Sequence, residues 1–145
     1  MLKYSEALRN AMQVTDCLRN LLTGTELRIY GGPVPSSPTD SIGSATLLVV
    51  IKKDGSTGVS FEPAASGGTL TKAAAEIWTG NAIATGTATF FRMVTPSDDN
   101  SLSLSNYRIQ GNVAIAGGDM NISNLSIAMG APQAISYFYL TIPES

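Results

Sequence analysis

At 145 residues, with 43% hydrophobic and 14% charged side chains, the chain is sized for one domain that folds without metals or disulfides. It has no histidine and one cysteine, which removes the commonest general base, any intrachain disulfide and a Cys/His zinc site. The net charge of −2 offers no basic stripe for nucleic acid or an anionic membrane surface, and no apolar run reaches the length of a membrane-spanning helix.

The start, Met1-Leu2-Lys3-Tyr4-Ser5-Glu6, lacks the apolar core and cleavage site of a signal peptide, so assembly in a cytoplasm is expected. Ala7, Ala11, Val14, Leu18 and Leu21 then recur at spacings of 4, 3, 4 and 3, which is one face of a helix; Leu8, Met12 and Leu22 widen the stripe. With Ser5 as N-cap and Gly24 as the stop, the pattern predicts an amphipathic helix over Ser5–Thr23. Residues 1–24 therefore form a helical unit within or docked on a β domain over 25–145, and the helix either packs on its own sheet or serves a neighbouring subunit. Cys17 is expected to be a small buried hydrophobe on that helix.

Beyond Gly24 the period becomes alternating. Glu26–Tyr30 is a short strand, and the stretch from Gly31 to Gly43, with three prolines, is a long loop of the kind that often binds. Ala45–Ile51 is a continuous apolar strand, Asp54-Gly55 a turn, and Val59–Glu62 its hairpin partner. Thr69–Lys72 is a short strand, and Lys72–Trp78 reads as either strand or helical turn. Ala84–Val94 is the longest strand; its small early residues suggest a close crossing and its late aromatics deep packing. In Tyr107–Ile115 the residues Tyr107, Ile109, Val113 and Ile115 face a core, while Arg108, Gln110 and Asn112 face water. Ile122–Met129 and Ala134–Ile142 complete the strands. One helix and about eight strands joined by short connections predict a mainly β, antiparallel two-sheet sandwich, jelly-roll-like, with a small barrel as the other architecture.

Chemistry is sparse. Asp98-Asp99 is the one adjacent carboxylate pair and reads as a solvated turn; Glu62 and Glu76 could meet only through the fold. There is no Walker loop and no nucleophile elbow. Asn121-Ile122-Ser123 and Asn124-Leu125-Ser126 are formal glycosylation sequons without a signal peptide to serve them. Trp78 or the cluster Tyr137, Phe138 and Tyr139 could stack on a sugar, although such aromatics more often pack a core. No catalytic residue, metal or cofactor is expected, and no nucleic acid, membrane or small-molecule substrate as partner.

The order of several segments resembles a group of small tailed-bacteriophage virion proteins of the capsid decoration or cement type. These segments are Ala7-Leu8-Arg9-Asn10, Leu27-Arg28-Ile29-Tyr30-Gly31-Gly32, Phe61 to Leu70, Gly86 to Arg92, Gln110-Gly111-Asn112-Val113, Gly118 to Asn124, and Ile135-Ser136 leading to Leu140-Thr141-Ile142-Pro143. The resemblance implies a non-enzymatic β-sandwich on the capsid surface that clamps adjacent major capsid protein subunits, with copies of itself as dimer or trimer. A tail, neck or baseplate subunit is the other virion reading, and a carbohydrate-binding sandwich a third. Interface contacts are expected on the helix at Leu8, Met12 and Leu18, and around the proline-rich loop at Tyr30, Pro33, Val34, Pro35 and Pro38.

Overall fold

Runs rich in β-branched and aromatic side chains form strands, and their pairing is almost wholly antiparallel. The computed structural model describes residues 2–141, so Ile142, the expected end of the last strand, lies outside the described residues. In chain order the elements are β1 (Lys3–Tyr4), α1 (Glu6–Val14), α2 (Leu18–Leu22), β2 (Glu26–Gly31), β3 (Thr46–Lys53), β4 (Thr69–Thr71), β5 (Trp78–Asn81), β6 (Gly86–Val94), β7 (Ile109–Ala114), β8 (Met120–Asn121), β9 (Ser126–Ile127), β10 (Pro132–Ile135) and β11 (Tyr139–Thr141). A nine-stranded sheet runs β1-β7-β6-β2-β3-β5-β10, with β8 on β7 and β9 on β6; β11 and β4 form a second, two-stranded sheet. The short β7–β8 pair is the parallel one among the described residues. The protein is thus mainly β, antiparallel and sandwich-like, as the alternation predicts.

Register places the main core, with a smaller cluster of Tyr30, Ala45 and Phe90 apart from it. Ile29 lies opposite Val49 on one side and Phe91 on the other, and Phe91 lies opposite Gly111. A Cβ on Gly111 would sit 2.7 Å from the Phe91 ring, so the missing side chain makes room for that ring. Leu27, Ile29, Val49, Ile51, Phe91, Met93 and Ile109 join Leu8, Leu18 and Leu22 of the two helices in a single buried cluster, which makes the helical segment part of the same core. Its aromatic centre is Phe61 edge-on to Trp78 at 5.6 Å, with Phe138 5.6 Å from Trp78 and 5.8 Å from Phe91.

Several sequence expectations are corrected. The helix over Ser5–Thr23 is two helices. Ser5 does cap α1, accepting the Leu8 N–H, but the chain breaks at Thr15–Cys17, where the Asp16 carboxylate accepts both the Cys17 N–H and the Asn20 side chain. A carboxylate competing for local donors favours a cap over a helix interior. Cys17 is consequently exposed, and Val14 is 85% exposed rather than in the stripe. Val59–Glu62 makes isolated bridges to Thr25 and Lys72 instead of a hairpin. Of the strand expected over Ile122–Met129 only Ser126–Ile127 is a strand. The expected closing strand splits into β10, which pairs β5, and β11, which pairs β4.

The largest correction concerns the face of β7 expected to be wet. Arg108 is fully buried and Gln110 nearly so, while Ile115, expected inside, is 63% exposed. Two loops, residues 32–45 and 95–108, cover that face of the sheet, so alternation there does not separate core from solvent.

Candidate interaction surface

Three arginines lie side by side on the covered face: Arg28 of β2 is opposite Arg92 of β6, Arg92 is opposite Gln110 of β7, and Arg108 immediately precedes β7. Burying three cations requires partners for nearly every N–H. The loops supply them. Arg108 clamps the Asp98 carboxylate through Nε and Nη2, at 2.6 and 2.8 Å, and its remaining donors reach the carbonyls of Pro38 and Ser101. Arg28 pairs with Glu26 at 2.7 Å and donates to the carbonyls of Asp98 and Pro96 and to the Asn100 side chain, which also accepts the Tyr30 hydroxyl at 2.6 Å. Arg92 donates to Gln110 Oε1 and the Ser37 carbonyl, while its Nη1 is buried without a hydrogen-bond partner.

The proline-rich loop lies outside the strands, so side chains on and beside the sheet satisfy its carbonyls. The carbonyls of Pro35, Ser36, Ser37 and Pro38 accept from Gln110, Lys3, Arg92 and Arg108 in turn. The two loops also bond directly, Ile42 N–H to the Asn100 carbonyl and Ser103 N–H to that of Thr39. Burial, and then the neighbouring Arg108 guanidinium, push Arg92 down to about 10. A third buried acid, Glu76, accepts the Ser60 N–H and hydroxyl and the Trp78 indole N–H. Burial opposes its charge, but those bonds outweigh burial and hold the carboxyl below its usual range.

The two loops are thus tied to the sheet, and among their exposed Ser, Gly and Asp residues stand Val34, Leu102 and Leu104. Leu102 is 63% exposed, Leu104 70% and Val34 46%. The residues expected to make interface contacts divide accordingly. Leu8, Leu18, Tyr30 and Pro38 are buried within the chain itself, which corrects their assignment as outward contacts. Leu8 and Leu18 are consumed by the core, and Tyr30 stacks on Phe90 at 4.8 Å under the loops. Met12 and Pro35 are half-buried, and Met12 packs on the core. Pro33 and Val34 are exposed. Sequence reasoning missed Leu102 and Leu104, whose signal was two leucines in an otherwise polar Ser-rich loop.

Asp98 is no solvated turn: its carboxylate is fully enclosed with Arg108, while Asp99 beside it is exposed and caps Ser101. Glu76 and Glu62 serve separate backbone and side-chain donors, Glu62 accepting the Ala74 N–H. Among the described residues no three Cys, Asp or Glu side chains gather as a metal would require. Comparison with known proteins returns no matching family model, no matching curated protein and no matching solved structure.

Proposed function

We propose that this chain is a non-enzymatic structural component of a tailed-phage virion, of the capsid decoration type, which clamps major capsid protein subunits on the head surface together with copies of itself. The observation that carries this reading is the pair of arginine-pinned loops presenting Val34, Leu102 and Leu104 to the outside. Immobilising such loops within the free chain removes ordering entropy that binding would otherwise cost. The acids Asp98 and Glu76 are spent on internal donors, which suits a part that holds rather than transforms. The order of segments resembling phage virion proteins, from Ala7 to Pro143, supports the same reading.

A stable clamp needs about 1,200–2,000 Å² of buried surface in total, and many symmetric copies add avidity to modest single contacts. The test is stoichiometry in purified particles, measured by quantitative mass spectrometry and located by labelled electron microscopy. A copy number comparable to that of the major capsid protein, with label over the head, is the expected result. A copy number of a single ring, with label at the tail or neck, would replace it with the tail, neck or baseplate reading. Absence from particles would end both.

A further inference from the structure

A different surface, remote in sequence from the pinned loops, carries an exposed aromatic pair. The aromatic run near the C-terminal end divides: Phe138 is core, as is Trp78, which leaves Trp78 unable to stack on any ligand. Tyr137 and Tyr139 point the other way, 79% and 54% exposed. Their rings meet edge to face at 5.8 Å and 81°, so each restrains the other. Exposing two tyrosine rings beside each other leaves a large apolar area in water.

The ridge separates two concavities. One, of about 290 Å³, is lined by Glu62, Thr71, Lys72, Ser136 and Tyr137; the other, of about 150 Å³, by Gly118, Asp119, Asn121, Tyr137 and Tyr139. Both have Phe138 in their walls. Hydroxyls crowd the ridge: Tyr139 lies opposite Thr71 across the β4–β11 pair, and Thr141 meets Thr69 at 3.0 Å beside it. Several polar atoms have bonding capacity left. Glu62 Oε1 accepts the Ala74 N–H, but Oε2 has no partner among the described residues, and Asn121 uses only its carbonyl oxygen, toward Gly118.

We propose that the Tyr137–Tyr139 ridge and its two flanking concavities bind a neutral, hydroxyl-rich glycan. Flat apolar ring faces suit the C–H faces of pyranose rings, and carboxylate and amide groups suit their hydroxyls, since hydrogen bonds to an ionised acceptor are the strong ones. A shallow, open pair of hollows takes successive sugar units rather than one enclosed small molecule. Neutrality follows from the charges. In one hollow Glu62 shares the wall with Lys72, whose ammonium donates to the carbonyls of Ala73 and Glu76 and lies 5.7 Å over the Trp78 ring; the other is lined by Asp119 and by no Lys or Arg. Sulfated, phosphorylated or carboxylated sugars spanning both hollows would meet the like charge of Asp119 in the second. This site owes nothing to the clamping role, and either can fail without the other.

The test is an array of neutral and acidic oligosaccharides probed with the whole protein, followed by calorimetric titration of the neutral oligosaccharide giving the strongest signal. Binding confined to neutral glycans is expected. Tyr137→Ala is expected to weaken it at least about tenfold, and Glu62→Gln by a smaller factor. Tyr137 is solvent-exposed, so the variant folds, which an unchanged melting curve would verify; Leu104→Ala, on the other loop surface, is expected to leave affinity unchanged. No neutral glycan bound at millimolar concentration, a preference for acidic glycans, or binding that survives Tyr137→Ala would overturn the proposal.

Discussion

Arg108 and Arg92 are both fully buried, yet truncation should cost far more at Arg108 than at Arg92. Removing Arg108 leaves the enclosed Asp98 carboxylate without its cation and frees several loop carbonyls, so Arg108→Met is expected to cost about 3–5 kcal/mol. Arg92 has only two hydrogen bonds, an unmet Nη1 and a like charge beside it, so Arg92→Met is expected to cost well under half as much. Urea unfolding of the two variants checks the contrast, and equal losses would show that Arg92 is as fully partnered in the folded protein as Arg108. None of this was legible in the sequence. Arg108 and Gln110 alternate with Ile109 and Tyr107 as solvent-facing residues do, and nothing local reveals that loops from 32–45 and 95–108 return to cover them. The usable hint was three arginines at outward strand positions in a chain with few charges, since such economy favours charges that have partners.

Elements were legible where the signal was local and lost where pairing decided. β2, β3, β6 and β7 match their alternating or apolar runs to within a few residues. The split of the closing strand has no such signature: Ser136-Tyr137-Phe138 contains neither Gly nor Pro, and the break exists because β10 continues the large sheet while β11 joins β4. Gly80 of β5 shows how closely those partners approach. A Cβ there would lie 2.0 Å from the Val50 carbonyl oxygen, which is backbone and cannot step aside, and Ala134 and Gln133 of β10 pair beside it. Gly80→Ala should therefore push β5 and β10 away from β3, at a cost of about 1–3 kcal/mol or more. Amide hydrogen exchange should show β5 and β10 losing protection while β2 and β6 keep theirs. Protection lost uniformly would mean that the large sheet opens only as one unit.

Across the whole molecule, buried arginines tie two loops to the sheet, and those loops carry Val34, Leu102 and Leu104 outward. Sequence placed the candidate contact surface on the proline-rich loop, where Pro33 and Val34 are exposed, but it could not show that residues 95–108 pack beside that loop, because their meeting depends on Asp98 and Asn100 reaching the arginines. Leu102 and Leu104 follow directly from that meeting and provide the sharpest test of the clamp. Both are mostly exposed, so Leu102→Ser with Leu104→Ser should leave the melting temperature of the free chain within experimental scatter. If the face docks on a capsid, each leucine contributes about 1.5–3 kcal/mol on full burial, and losing both should release the protein from particles even against the avidity of many copies. Sedimentation of particles mixed with the purified double variant measures this directly. Retention at the level of the unaltered protein would move the docking face elsewhere on the sandwich, and a lowered melting temperature would show that the leucines belong to the fold.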